Sequence, residues 1–131
     1  MCGISGYLGQ SNLSQNILKK TLKLMRLRGP DFQNYNSYNI KKNFLHFLHS
    51  RLSIIDLESR SNQPFEDNDN VIIFNGEIYN YLEIKKDLIN KGFKFKTNSD
   101  TEVLLKSYEV YGADCVKYLE GMWSFAIFDI K

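Results

Sequence analysis

The chain has 131 residues, of which 43% are hydrophobic and 24% charged, and its 17 basic and 15 acidic side chains give a net charge of +2. These values are typical of one soluble globular domain and indicate no particular charged partner. The chain has no block of basic residues interleaved with aromatic ones and no long apolar run, so neither nucleic-acid binding nor a membrane span is expected. Only two cysteines and an N-terminus without a signal-peptide pattern favour a reducing cytoplasm.

The first half of the chain predicts strands around one helix. The strand-like segments are residues 3–8, 34–40, 44–48 and 51–55, the last of which continues or re-enters the sheet. Ser14 begins an amphipathic helix that extends to about Arg26, and the Gly29-Pro30-Asp31 turn follows it. The polar residues 56–70 are predicted to form a long loop, of the kind that often carries function.

The second half begins with a continuous apolar run, Val71-Ile72-Ile73-Phe74, which predicts a strand buried on both faces and ending at Asn75-Gly76. Helices are predicted over residues 81–91 and 101–111, with a helical turn at 116–119, and strands over 93–97 and 122–130. Ser99 and Glu102 match a capping box. The order of elements predicts an α+β fold with mostly antiparallel pairing, because many connections are too short for crossovers.

The start of the chain, Met1-Cys2-Gly3, is the first candidate for chemistry. Removal of Met1, which is favoured before a small residue, would leave Cys2 with a free α-amine. The thiolate is the reactive form of cysteine, and an α-amine titrates at about pH 8 and can accept a proton. Nucleophile and base would then share one residue, a known activation scheme. Taken alone, however, a Met-Cys start is more simply explained by chance.

Four other positions allow both a structural and a functional interpretation. Asn75-Gly76 is typical of a hairpin turn, which the spacing alone favours, but its amide and backbone N–H could also form an oxyanion hole. Arg51 is either a surface arginine or a clamp for a carboxylate. Asp100 either stabilises a helix dipole or binds an ammonium group, and Glu77 is either solvated or serves the same ammonium group.

The histidines and the second cysteine are predicted to be structural. A metal site would need more ligands than His46 and His49 at a recognisable spacing, so packing or hydrogen bonding in strands is the simpler interpretation. Cys115 has no Cys-x-x-Cys partner and is expected to be a small buried hydrophobe.

Six motifs, in this order along the chain, resemble the glutaminase domain of glutamine-hydrolysing asparagine synthetases. They are Met1-Cys2-Gly3-Ile4, Arg28-Gly29-Pro30-Asp31, His49-Ser50-Arg51-Leu52-Ser53-Ile54, Asn75-Gly76-Glu77-Ile78-Tyr79-Asn80, Ser99-Asp100-Thr101-Glu102 and Gly121-Met122-Trp123-Ser124-Phe125-Ala126. That domain is a class II glutamine amidotransferase. The resemblance therefore implies an N-terminal nucleophile hydrolase fold, an α/β/β/α sandwich of mostly antiparallel sheets, incomplete at the C-terminus.

The resemblance also implies a reaction and the residues that perform it. Cys2 would be the nucleophile, with its own α-amine as base, in the hydrolysis of glutamine to glutamate and ammonia through a thioester. The other implied roles are an oxyanion hole from the Asn75 side chain and the Gly76 N–H, α-carboxylate binding by Arg51, α-ammonium binding by Asp100 with the Glu77 region, and shaping of the site by the Arg28-Gly29-Pro30-Asp31 turn. No metal or organic cofactor is implied for this reaction.

Two features depart from the family pattern. Leu27 stands where many relatives carry a polar residue or histidine, with little expected consequence. The chain also stops at Lys131, whereas relatives continue with further strands and an ATP-dependent synthetase domain. Residues 1–131 are therefore interpreted as a partial amidotransferase domain without the synthetase domain, to which ATP and magnesium would belong.

The implied partners are glutamine and a synthetase domain in cis, and a homodimer is left open. Two alternatives for the function also stay open. The chain could be an inert or regulatory glutamine-binding module of the same fold, as retention of Met1 would make it. It could also be an amidotransferase that serves a different acceptor.

Overall fold

The computed structural model describes residues 1–130, which form two antiparallel sheets and three α-helices. The first sheet has the order β1-β3-β2 and consists of β1 (Gly3–Gly9), β2 (Phe32–Ile40) and β3 (Asn43–Arg51). The second has the order β4-β5-β6 and consists of β4 (Phe65–Asp67), β5 (Asn70–Ile78) and β6 (Gly121–Asp129). The helices are α1 (Gln15–Met25), α2 (Tyr81–Asn90) and α3 (Asp100–Tyr111), with 3-10 segments at Ser59–Ser61 and Gly112–Tyr118.

Alternation along β5 sends its side chains into two different cores. Val71 and Ile73 pack against Leu45 of β3, between the two sheets. Ile72 and Phe74 point the other way and pack under α2 and α3. Because α1 covers the outer face of the first sheet, the layers run helix, sheet, sheet, helices. The predicted α+β class with antiparallel pairing is confirmed.

The predicted helices are confirmed, and local capping explains where two of them begin. The Ser14 hydroxyl accepts a hydrogen bond from the N–H of Ile17 at 3.4 Å, which satisfies one of the free donors in the first turn of α1. The Ser99 hydroxyl does the same for Glu102 in α3 at 3.3 Å. None of the helices within residues 1–130 is long and apolar enough to cross a membrane.

Two predicted strand segments are wrong because side chains bind their backbone groups. In residues 51–55 only Arg51 belongs to β3, since the N–H of Ser53 donates to the Asp31 carboxylate at 2.7 Å. Residues 93–97 form no strand, because the N–H groups of residues 96 and 97 donate to the Glu102 carboxylate at 2.7–3.1 Å. Of the predicted capping box, only the hydrogen bond from the Glu102 N–H to the Ser99 hydroxyl forms, because the Glu102 carboxylate binds residues 96 and 97 instead of the Ser99 N–H.

The predicted loop and the predicted turn are also corrected. Residues 56–70 contain the Ser59–Ser61 segment and β4, which joins β5 through a two-residue turn; Asn68 adopts φ 51° there, as hairpin turns require. Asn75-Gly76 is not a turn, because β5 continues to Ile78 and pairs with β6 throughout. The expectation that the buried strand ends at Asn75-Gly76 is therefore wrong as well.

Candidate active site

One pocket collects five of the six residues predicted for the site: Cys2, Arg51, Gly76, Glu77 and Asp100. They come from three elements and the segment before β1: Cys2 precedes β1, Arg51 ends β3, Gly76 and Glu77 lie in β5, and Asp100 begins α3. The other lining residues are Met1, Leu52, Ile54, Ile55, Ser61, Gln63, Phe74, Ser99 and Thr101. The fold therefore brings together residues that lie up to 98 positions apart in the sequence, Cys2 and Asp100.

Cys2 is half-buried, and contacts on two sides fix its position. Its Sγ lies 3.4 Å from the N and 3.6 Å from the O of Leu52. Its carbonyl accepts a hydrogen bond from Arg28 Nε at 3.0 Å. Position 29 must be glycine, because a Cβ there would lie 2.1 Å from the carbonyl oxygen of Ser50. The turn thus packs directly on the end of β3, beside Cys2.

The same turn holds the segment that follows β3. The N–H of Asp31 donates to the carbonyl of Arg51 at 3.0 Å, and its carboxylate accepts from the N–H of Ser53 at 2.7 Å. The Arg28-Gly29-Pro30-Asp31 turn therefore contacts both Cys2 and the segment against its sulfur. Leu27, just before the turn, is exposed and does not line the pocket.

One edge of β5 borders the pocket. Along this edge, side chains rather than a neighbouring strand bind the backbone N–H and C=O groups of β5. β4 pairs with only the first three residues of β5, so the edge beyond them has no strand partner within the described residues. The N–H of Phe74 donates to Gln63 Oε1 at 2.6 Å, and its carbonyl lies 3.1 Å from His49 Nε2. Further along, the N–H of Ile78 donates to Asp100 Oδ2 at 3.2 Å.

Gly76 lies between these two covered positions. Because backbone groups alternate along a strand, its N–H faces the same edge as those of Phe74 and Ile78. No acceptor within residues 1–130 binds this N–H. A side chain would not fit, since a Cβ would lie 2.2 Å from the carbonyl oxygen of Met122 and 2.6 Å from Cα of Trp123. A free N–H at the pocket wall is a suitable donor to an oxyanion.

Asn75 is the predicted site residue that does not line the pocket. By the alternation of β5, its side chain faces the first sheet, as those of Val71 and Ile73 do. Its Oδ1 is buried and has no hydrogen-bond partner among the described residues. An unpaired buried acceptor costs about 1–3 kcal/mol, so the Asn75 amide is held in a position that its polarity alone would not favour.

Arg51 is buried, with 5% of its surface exposed, and its guanidinium is held by the loop that follows it. Nη1 donates to the carbonyl of Glu58 at 3.1 Å and to Asn62 Oδ1 at 2.8 Å. Nη2 donates to the carbonyls of Ile55, at 3.3 Å, and Asp56. No carboxylate in the described part of the chain forms an ion pair with it. The positive charge at this wall is therefore available to an anionic ligand.

Another part of the pocket wall is acidic. Asp100 is 5% exposed, and burial raises its pKa above the ordinary aspartate value. The backbone N–H groups of Ile78, Thr101 and Asp100 itself act in the opposite direction, whereas the charge of nearby Glu77 adds to the increase. A cation between the two carboxylates would offset both the cost of burying the Asp100 charge and the repulsion between Asp100 and Glu77. This wall therefore favours an ammonium group.

Both histidines lie in β3 and make hydrogen bonds, the arrangement that the sequence predicted. Burial lowers the pKa of His49 to about 4, and the positive charge of Arg51 lowers it further. The hydrogen bond to the Phe74 carbonyl acts in the opposite direction and raises the pKa. His49 is thus neutral at pH 7. His46 is buried and contacts Ser37 Oγ at 2.7 Å. Within residues 1–130, no group of three or more His, Cys, Asp or Glu residues is placed to hold a metal ion.

A family model described as a glutamine amidotransferase domain matches residues 1–131. The chain belongs to this family. Its relatives in the family include asparagine synthetase 1, glutamine-hydrolysing, of Bacillus subtilis, at 40% identity over 98% of this chain and 21% of that protein. The Arabidopsis thaliana asparagine synthetase 1, glutamine-hydrolysing, is 42% identical over 100% of this chain and 22% of that protein. The chain spans 21–28% of the length of the first relatives that it matches.

A solved structure of another amidotransferase shares the fold. The glutamine phosphoribosylpyrophosphate amidotransferase from B. subtilis, complexed with ADP and GMP, aligns with a TM-score of 0.55 and 25% identity. The alignment covers 68% of this amidotransferase domain and 21% of that chain. Together with the two antiparallel sheets, this confirms the predicted N-terminal nucleophile hydrolase type of α+β sandwich.

Sequence reasoning missed Gln63, which connects β5 to α3. Its Oε1 binds the N–H of Phe74, and its Nε2 donates to Thr101 Oγ1 at 3.2 Å. Gln63 lies in the stretch predicted as a polar loop, where no periodicity or capping pattern distinguishes one polar residue from another. Cys115, by contrast, is 1% exposed, as predicted.

Proposed function

We propose that this amidotransferase domain hydrolyses glutamine to glutamate and ammonia, with Cys2 as the nucleophile. The observation that carries the proposal is that Cys2 lines one pocket together with a backbone N–H that has no acceptor, a guanidinium without an ion-pair partner and two carboxylates. Glutamine offers a matching group to each of them: an amide carbonyl, an α-carboxylate and an α-ammonium. Arg51 would bind the carboxylate, and Asp100 with Glu77 would bind the ammonium.

The reaction follows from the chemistry of the N-terminal cysteine. Once Met1 is gone, the α-amine of Cys2 takes the thiol proton as Sγ attacks the side-chain amide carbon of glutamine. The Gly76 N–H stabilises the charge on the oxygen. The Asn75 amide, which faces the first sheet here, would have to turn towards the pocket to act as the second donor. The C–N bond then breaks, the amine returns its proton to the leaving nitrogen, and ammonia departs. Water, deprotonated by the amine, attacks the γ-glutamyl thioester and releases glutamate and the thiol.

The names of the relatives suggest where the ammonia goes. Proteins named as glutamine-hydrolysing asparagine synthetases are several times longer than this chain. We therefore include in the proposal that the ammonia passes to an ATP-dependent synthetase domain in cis. The hydrolysis itself needs only the residues of the pocket and no cofactor; ATP and magnesium would serve the synthetase domain.

A second candidate is a glutamine-binding module without turnover. The observation that favours it is that Met1 itself lines the pocket. While Met1 is attached, the nitrogen of Cys2 belongs to a peptide bond and cannot act as a base. The pocket would then bind glutamine but lack the group that activates the thiol.

Mass spectrometry combined with an ammonia assay distinguishes the two candidates. Protein that lacks Met1 by intact mass should release ammonia from glutamine, and a glutamine-analogue electrophile should label Cys2. Protein that retains Met1 should bind glutamine without turnover. The hydrolase proposal is abandoned if Met1-free protein releases no ammonia and Cys2 stays unlabelled.

The substitution Asp100→Asn should weaken glutamine binding without weakening the fold. The amide oxygen can still accept from the N–H of Ile78, but the charge that attracts the ammonium is lost. We expect KM for glutamine to rise about 30- to 100-fold, as for loss of one partner of a buried charge pair. Steady-state ammonia release measures the effect, and Asp87→Asn, an exposed carboxylate on α2, is the matched control.

The pH dependence of stability provides an independent check on Asp100. The pKa of Asp100 in the folded protein lies above the ordinary value of 3.8, which applies to the unfolded chain. As the pH rises from 3.8 to the folded pKa, the wild-type protein therefore loses unfolding free energy. The Asn variant lacks this loss, so it should be at least as stable as wild type at pH 7. Urea titrations at several pH values test this, and an unchanged KM for glutamine would remove Asp100 from the proposed site.

A further inference from the structure

Asp56 connects two walls of the pocket without lining it. Its side chain is only 2% exposed, although it lies in the surface loop between β3 and β4. Its backbone adopts φ 49°, in the left-handed region that aspartate tolerates better than most residues. A buried acidic side chain at such a position is held by specific contacts.

The carboxylate of Asp56 is bound by three donors. Oδ2 accepts from the N–H of Asn98 at 2.7 Å and from Arg60 Nε at 3.3 Å, and Oδ1 accepts from the N–H of Glu58 at 3.2 Å. Burial favours the neutral acid, but the Asn98 N–H, the neighbouring Ser61 hydroxyl, the Glu58 N–H and Arg60 outweigh it and lower the pKa to about 2. The group is therefore ionised throughout the pH range of an activity assay.

Through these contacts Asp56 is connected to both the basic and the acidic wall of the proposed substrate site. The carbonyl of Asp56 accepts a hydrogen bond from Arg51 Nη2, on the basic wall. Its carboxylate holds Asn98, which directly precedes Ser99, the N-cap of α3, and Asp100 on the acidic wall. One residue thus binds the guanidinium through its backbone and the start of α3 through its side chain.

We propose that Asp56 is a positioning residue that sets the separation between Arg51 and Asp100, and thereby the affinity for the α-amino-acid end of glutamine. The inference rests on the proposed function, since it assigns those two residues to the α-carboxylate and the α-ammonium. These two groups share one carbon, so both contacts form together only when the two walls are correctly spaced. Asp56 does not touch the reacting atoms and should leave the chemical step unchanged.

The test is Asp56→Asn in Met1-free protein. An amide carries no charge, and its NH₂ group must face either the Asn98 N–H or the Glu58 N–H, so the hold of this loop on the start of α3 should weaken. We expect KM for glutamine to rise about tenfold or more while kcat stays within about threefold, the pattern for lost ground-state binding. Alkylation of Cys2 by iodoacetamide, which needs neither wall, should be unchanged.

An analogue without the α-amine, 4-carbamoylbutanoate, separates positioning from general damage. It uses only one wall, so its KM should be nearly the same in Asp56→Asn and in wild type. Arg60→Met is the matched control, because it removes only the half-exposed ion-pair arm of Asp56. Its KM for glutamine should stay within about threefold of wild type, as expected for an exposed ion pair.

Three results would overturn the inference: an unchanged KM for glutamine in Asp56→Asn, a loss confined to kcat, or an equal rise in KM for glutamine and the analogue. If Asp56→Asn does not fold, Asp56→Glu serves the same test, because it keeps the charge but displaces it by one methylene. It should again raise KM and not kcat. Wild-type protein that releases no ammonia would instead refute the proposed function.

Discussion

Replacement of Cys2 by alanine is expected to reduce ammonia release from glutamine by about 10⁴-fold or more, the scale seen when a catalytic nucleophile is removed. The thiol contacts Leu52 but neither Arg51 nor Asp100, the proposed partners of the α-carboxylate and the α-ammonium, so binding of glutamine should persist. Ammonia release measures turnover, and calorimetric titration with glutamine measures binding. The two measurements together separate loss of the nucleophile from loss of the pocket.

The chain offers a matched control in its second cysteine. Cys115 is 1% exposed in the core under α2 and α3 and does not line the pocket. Cys115→Ala should lower the unfolding free energy by about 1 kcal/mol and leave turnover nearly intact. If Cys2→Ala keeps its turnover, or if Cys115→Ala loses its own, Cys2 is not the nucleophile.

Arg51→Lys is expected to have the second largest effect. A lysine ammonium is a point charge and cannot reproduce the planar set of donors that Arg51 provides. We expect kcat/KM for glutamine to fall about 100- to 1,000-fold, or about 3–4 kcal/mol, chiefly through KM. The unfolding free energy should also fall by about 1–3 kcal/mol, because the Ile55 or Glu58 carbonyl loses a donor in a buried position.

Steady-state kinetics and urea unfolding give these two effects separately. Arg60→Lys is the control, since Arg60 is a half-exposed arginine in the same loop, and neither quantity should change appreciably. A variant that loses stability but keeps its KM would show that Arg51 only supports the loop. In that case another group must bind the α-carboxylate.

Local chemistry explains what the sequence predicted well. The starts of α1 and α3 follow from Ser14 and Ser99, whose hydroxyls cap the next turn, and the core face of β5 follows from its run of apolar residues. Residues 93–97 mislead because their alternation suits a strand. The backbone N–H groups of residues 96 and 97 are bound by Glu102, which lies in the next helix, and no pattern within the segment itself reveals that partner.

In the candidate site, too, some residues could be predicted from the sequence and others could not. The family motifs singled out Cys2, Arg51, Gly76 and Asp100. Without those motifs, the local sequence at Asn75-Gly76 favoured a hairpin turn. Gln63 and Asp56 act through loops, on backbone groups more than ten residues away. Such contacts depend on how the chain folds back on itself, and the sequence around either residue carries no sign of them.

The side-chain-covered edge of β5 has a consequence for substrate length. Gly76 and Ile78 are two residues apart on one strand, so their N–H groups lie about 7 Å from each other. One would bind the amide oxygen of glutamine, and the other fixes Asp100, the partner of its ammonium. If glutamine binds in this way, β5 would hold the two contacts at a fixed spacing, and asparagine, which is shorter by one methylene, would not reach both.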